Sequence, residues 1–223
     1  MKVSDYIAKF LADKQIKHVF ELSGGMITHL LDSLNQTTNI NIITMHHEQA
    51  AAFAADAYGR ATGLPGIAMA TSGPGATNLL TGIGSCYFDS VPAIFITGQV
   101  NRHEQKGTRA IRQLGFQETD IVTMALPITK ASFLVNDPNS IPAIFEQAFK
   151  IAIEGRPGPV LIDIPMDVQR AQIEVPNETV AGKPDEIVLD ELLFSNLVND
   201  IKKLNSLFYW LAGELEVLSL LMP

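Results

Sequence analysis

One cysteine, Cys86, stands in 223 residues, and that scarcity excludes an intrachain disulfide framework and fits a reducing compartment. Cys86 lies in an apolar stretch, where an inert buried thiol is the ordinary outcome. Charge is sparse too, at 18% of residues. The formal net charge is -8, but residues 174–223 hold 9 acidic and 3 basic side chains and so carry -6 of it, leaving the first 173 residues nearly neutral. No basic stripe exists to follow a phosphate backbone, so nucleic acid is not an expected partner. The first residues lack the apolar core and small-residue cleavage site of a signal peptide, which points to a cytoplasmic location. The apolar run at 207–223 is short and contains Glu214 and Glu216, so a membrane is not an expected partner either. His46 and His47 are adjacent, with no other histidine or cysteine spaced to join them on one ion, and no metal-ligating residue is assigned.

What the chain does have is alternation. Short apolar, β-rich runs at 19–22, 40–45, 66–71, 93–97, 128–132 and 160–164 are separated by helical stretches at 3–14, 26–34, 47–62, 76–87, 118–124 and 140–154. Strands alternating with helices build βαβ units, so the fold class is α/β, an open six-stranded parallel sheet with helices on both faces. That domain is expected to occupy residues 1–173. Prolines 165, 176 and 184 and weak periodicity make residues 165–189 read as linker from Pro165 onward, with the linker proper set at 174–189. Residues 190–203 look like an amphipathic helix and 207–211 like a strand. Residues 190–223 are therefore expected to be the incomplete start of a central domain, or a non-native tail.

Three turns combine glycine with a preceding apolar run: Leu22-Ser23-Gly24-Gly25, Thr71-Ser72-Gly73-Pro74-Gly75-Ala76-Thr77-Asn78 and Thr97-Gly98-Gln99. Such strand-to-helix turns line the carboxyl edge of an open sheet, where ligands bind, although many are only tight connections. The second lacks a Walker lysine. Glu48 enters the third helix. An acid in a first helical turn is ordinarily explained by the helix dipole. Its company differs, because Ala50-Ala51-Ala52-Phe53-Ala54-Ala55 permits close packing, and a carboxylate beside such a surface is desolvated, which suits a group exchanging protons near neutral pH.

Five motifs then follow in order: His47-Glu48-Gln49-Ala50-Ala51, Ala57-Tyr58-Gly59-Arg60-Ala61-Thr62-Gly63, Ser72-Gly73-Pro74-Gly75-Ala76-Thr77-Asn78, Gly115-Phe116-Gln117-Glu118-Thr119-Asp120 and Gly155-Arg156-Pro157-Gly158-Pro159-Val160. Together they closely resemble the N-terminal pyrimidine-binding (PYR) domain of thiamine-diphosphate-dependent enzymes, within which the match is to the acetolactate synthase group. The resemblance implies that Glu48 hydrogen-bonds N1′ of the cofactor's aminopyrimidine and promotes its 4′-imino form. That form takes the thiazolium C2 proton, so that C2 attacks a 2-keto acid such as pyruvate. It implies too that Gly24 and Gly25 form a loop near thiamine diphosphate, Pro74 and Asn78 line the pyrimidine pocket, and Phe116 and Gln117 approach the substrate. Arg156 matches an arginine that touches FAD in flavin-dependent members.

Two departures qualify the match. Asp163-Ile164-Pro165-Met166-Asp167 carries methionine where acetolactate synthases commonly carry lysine, which keeps a related carboligase or decarboxylase open. The Gly-Asp-Gly…Asn motif, which in the family holds Mg2+ and the diphosphate, is absent from all 223 residues. Magnesium would then act through a domain absent here. In the family the active site forms between two subunits, which implies a homodimer or larger homo-oligomer and an isolated chain inactive on its own. Residues 207–213 resemble the opening of the family's next domain and 214–223 do not, so a truncation, frameshift or artificial chain end is expected near 206–213. The competing expectation is a noncatalytic oligomerisation or nucleotide-binding module of the same fold.

Overall fold

Each apolar run becomes a strand: β1 (His18–Glu21), β2 (Asn41–Thr44), β3 (Gly66–Ala70), β4 (Ala93–Gln99), β5 (Ala131–Leu134) and β6 (Pro159–Pro165). They form one sheet in the order β2-β1-β3-β4-β6-β5, and every pairing is parallel. The structure is a computed structural model that describes residues 1–175, 194–196, 198 and 199. Its contacts divide the chain into two units, Met1–Val175 and Pro176–Pro223. In the second unit, residues 194–196 and 198–199 are helical. The rest of the helix expected at 190–203, the strand expected at 207–211 and the linker beyond Val175 lie outside the described residues.

Burial explains the sheet order. All residues of β3, β4 and β6 are buried, whereas β2 and β5 at the edges are partly exposed. Parallel strands covered on both faces read as near-continuous apolar runs, as these three central ones do. Helices supply the cover: α1 (Val3–Asp13), α2 (Thr28–Asn35), α3 (Glu48–Thr62), α4 (Pro74–Asn78), α5 (Leu80–Phe88), α6 (Ile121–Ala125), α7 (Ile141–Ile153) and α8 (Met166–Gln169). The strands' two-residue alternation sends Ile94 and Ile96 of β4 into one core and Phe95 into the other.

The two cores differ in grain. One is built from large side chains, including Ile7, Leu11, Phe145, Ile162 and Ile164. The other, under α3 and α5, is rich in small ones, including Ala52, Ala55, Ala68, Ala70, Ala76 and Ala93. α3 is framed by His47, whose Nδ1 accepts the Gln49 N–H at 3.1 Å, and by Gly63 in the left-handed region at φ 69°.

Two elements depart from expectation. The fifth strand begins at Ala131 rather than 128, because Pro127 helps set residues Leu126–Ile128 into a 3-10 turn, where a strand's ladder hydrogen bond would be lost. The chain after Ile164 is not yet linker: β6 runs through Pro165 and α8 follows, too short to show helical periodicity.

The small-residue contact can be tested at Gly82 of α5. A Cβ there would lie 2.3 Å from the Cβ of Ala52 on α3. Gly82→Ala should cost about 1–3 kcal/mol by overpacking, measured as a lower urea midpoint. Adding Ala52→Gly should recover part of that loss, as a double-mutant cycle would show.

Candidate functional site

The sheet order locates a crevice. From β1 the chain leaves toward β2 and from β3 toward β4, in opposite directions, so the carboxyl ends of β1 and β3 flank a topological switch point, where open α/β sheets hold ligands. The two loops touch. The Met26 N–H donates to Thr71 Oγ1 at 3.2 Å, and Gly24 lies so close that a Cβ on it would be 2.4 Å from the Thr71 Cβ.

Glu48 stands at the first position of α3, after β2, and is 8% exposed. Asn78, at the end of α4, donates from Nδ2 to Glu48 Oε2 at 2.9 Å. The other oxygen, Oε1, lies beside Gly75, where a Cβ would come within 3.2 Å of it and 2.8 Å of Thr71 Cγ2. Among the described residues Glu48 takes part in no ion pair and Oε1 accepts no hydrogen bond. Burying a carboxylate is costly unless it is paired. An acceptor without a protein donor, next to a position that only glycine leaves open, can accept an N–H from outside the fold.

The remaining candidates divide into near and far. Pro74 opens α4 and is exposed, and Gly25 has open space beside it. Gln117, at φ 59°, packs on the turn before Pro74: a Cβ on Gly73 would be 2.7 Å from that of Gln117. Phe116 is 75% exposed. Glu48, Asn78, Pro74, Gly24 and Gly25 thus gather at the carboxyl edge, with Gln117 against it. Arg156 does not join them. It precedes β6 at the opposite edge, where Tyr87, Phe88, Lys130, Arg156 and Pro157 line a cavity of about 290 Å3. Arg156 donates from Nε to Ser90 Oγ at 2.6 Å and from Nη2 to the Phe88 carbonyl at 3.3 Å. Met166 follows β6 directly, on the carboxyl side.

Residues that sequence reasoning passed over also sit at this edge. Thr71 and Gly75 lie inside a motif singled out as a whole, yet their contacts depend on spatial neighbours. Asp163 of β6 is 2% exposed, accepting from Thr97 Oγ1 at 2.6 Å and Gln99 Nε2 at 2.9 Å. Burial pushes its carboxyl up to about 7, opposed by the Thr97 and Gln99 bonds and reinforced by Asp120.

This geometry defines a class, a doubly wound α/β domain with a buried acid beside its switch point. The chain belongs to the thiamine pyrophosphate enzyme family, whose N-terminal TPP binding domain matches residues 1–124. Within that family it is acetolactate synthase-like. It is 44% identical over 185 residues to the probable acetolactate synthase large subunit of Methanocaldococcus jannaschii, covering 83% of this chain and 30% of that protein. It is 49% identical over 162 residues to the acetolactate synthase of Arthrospira platensis, covering 71% of this chain and 27% of the relative. Over 176 residues it is 44% identical to the chloroplastic acetolactate synthase of Arabidopsis thaliana, covering 79% and 25%. The chain therefore spans less than a third of the length of these relatives.

Two outcomes follow. Gly75→Ala should crowd Thr71 and Glu48 Oε1 together and lower affinity for an aminopyrimidine ligand by about tenfold or more, measured by calorimetric titration. The second concerns pH. The native Asp163 carboxyl keeps its proton to about pH 7, against a reference value of 3.8. The folded state therefore binds the extra proton between those values, and this group's contribution to stability falls as pH rises through that window. Urea midpoints followed across it should show a downward slope that is weaker in Asp163→Asn.

Proposed function

We propose that this chain supplies the pyrimidine-binding part of a thiamine-diphosphate-dependent 2-keto acid carboligase of the acetolactate synthase kind, with pyruvate as the substrate type. The observation that carries the reading is Glu48: buried, bonded to Asn78 through one oxygen, and open through the other beside Gly75. Those features fit an aminopyrimidine edge that offers an N–H. When bound, thiamine diphosphate supplies the nucleophilic carbon and electron sink for 2-keto acid chemistry. The chain's part is position and proton control. Glu48 Oε1 holds a proton shared with the ligand's ring nitrogen, and Asn78 fixes the carboxylate's orientation through Oε2. The glycines at 24, 25 and 75 let backbone approach the ring, Pro74 stiffens the entry to α4, and Phe116 and Gln117 border the substrate side.

Magnesium and the diphosphate would be held by residues that another domain or chain supplies, so turnover is expected only with that partner present. In this reading the outer face of α3, with Phe53 44% exposed, meets a second subunit in a homodimer or higher homo-oligomer. FAD, where bound, would use Arg156 Nη1, Lys130 and the rings of Tyr87 and Phe88 around the cavity at the amino edge. A cytoplasmic setting suits Cys86, which is buried and whose thiol is pushed up chiefly by that burial. Among the described residues no helix is long and apolar enough to cross a membrane.

Met166 favours one second reading, a decarboxylase, since methionine cannot present the lysine charge common at that position in acetolactate synthases. Glu48→Gln tests the main one. In enzyme reconstituted with a diphosphate-binding partner, proton exchange at the thiazolium C2, followed by NMR, should slow by about 10²–10⁴-fold. Unchanged exchange would sink the assignment of Glu48.

A further inference from the structure

Asp163 is buried, acidic and without an ion-pair partner among the described residues. Its side-chain bonds run outward from the sheet. Gln99 Nε2 donates both to Asp163 Oδ2 at 2.9 Å and to the Thr119 carbonyl at 2.6 Å, while Gln99 Oε1 accepts the Val100 N–H at 3.0 Å. Thr119 Oγ1 in turn donates to the Gln117 carbonyl at 3.1 Å, and Gln117 packs on Gly73. Between them, Glu118 accepts the Lys106 N–H at 2.7 Å and the Leu114 N–H at 2.8 Å. One continuous line of contacts leads from a core carboxylate to the turn that carries Pro74.

We infer that Asp163 and Gln99 are positioning residues that hold the Gln117–Glu118–Thr119 segment against the Gly73–Pro74 turn. The inference rests on the proposed function only in calling that segment the substrate side. Hydrogen-bond polarity is the physical reason. An ionised carboxylate only accepts, so it fixes the Gln99 amide with Nε2 toward Asp163 and Thr119 and Oε1 toward Val100. An asparagine, or a protonated acid, can present a donor. That permits the amide to turn over, which sets Oε1 against the Thr119 carbonyl and leaves the Val100 N–H without its acceptor, a costly arrangement inside a core. The groups facing Asp163 are Thr97 and Gln99 from β4, the Val135 N–H beyond β5, which reaches the Asp163 main-chain carbonyl at 3.0 Å, and Asp120 at the start of α6. Asp120 is the charged one, and it disfavours ionisation along with burial.

Two NMR measurements on the 223-residue chain test this. In Asp163→Asn, amide exchange at Lys106, Leu114 and Glu118 should rise by about tenfold or more while that of α1 and α7 stays put. Equal rates in variant and parent would overturn the inference. Should the variant not fold, the parent chain answers the same question. Across about pH 5 to about pH 9, the Gln117 and Thr119 amides and the Gln99 side-chain amide should shift with the midpoint of the Asp163 carboxyl carbon. If those amides stay indifferent while Asp163 titrates, or if the carboxyl carbon holds one state throughout, the inference fails. Gln117→Ala in reconstituted enzyme reports separately on the substrate side: unchanged KM would remove that reading and leave the coupling to Asp163 intact.

Discussion

Everything at the carboxyl edge depends on how closely α3 lies against its neighbours. A Cβ on Gly66 would fall 1.9 Å from the Ala55 carbonyl oxygen, and one on Gly82 would meet Ala52. Helix and strand approach to a distance that larger residues forbid. That approach draws the first turn of α3 down to the ends of β1 and β3, so Glu48 is buried beside the Gly75 turn instead of standing in solvent as a first-turn acid normally would. The helix dipole and the His47 cap account for where the helix begins. The alanines and glycines account for the environment of its first carboxylate.

Two acids at this edge illustrate different uses of burial. Glu48 keeps an oxygen without a protein donor and so is left available to a ligand. Asp163 has both oxygens bonded within the fold and is available to nothing outside it. Both lack a cation among the described residues, and neither is explained as an ordinary ion pair. By contrast Asp56 and Asp167 bind Arg60 and Arg102, and against the effect of burial the Arg102 backbone N–H, followed by its guanidinium, holds the Asp167 carboxyl below the usual range. The arginine-paired acids tie elements together, Asp56 and Arg60 within α3 and onto Asp89, and Asp167 onto the turn at residues 102–104.

Much of the fold was legible in the sequence because parallel strands buried on both faces spell themselves out as apolar runs, and each of the six was found within a few residues. The errors came where local chemistry overrides pattern. Pro127 delays β5, and four residues of α8 are too few to show a period. Glu48 and Asn78 were legible through motifs, though their 2.9 Å contact spans 30 positions and no spacing rule reports it. Asp163 and Gln99 were not, since an acid at the end of an apolar strand looks the same whether it faces water or a neighbouring glutamine. Arg156 was legible by motif alone, and the structure sets it at the far edge from Glu48, so one list of residues describes two regions.

The unequal grain of the two cores bears on how such a chain drifts over time. On the face under α1 and α7, large side chains can trade volume with one another, an isoleucine growing as a phenylalanine shrinks. Where α3 packs on α5 and β3, Ala52 meets Gly82 and Ala55 meets Gly66, partners that have almost nothing left to give up. Any enlargement there must be met by movement of a whole helix, and the helix carries Glu48 with it. Sequence change is thus channelled toward one side of the sheet, and the side that is held still is the one on which the carboxylate depends.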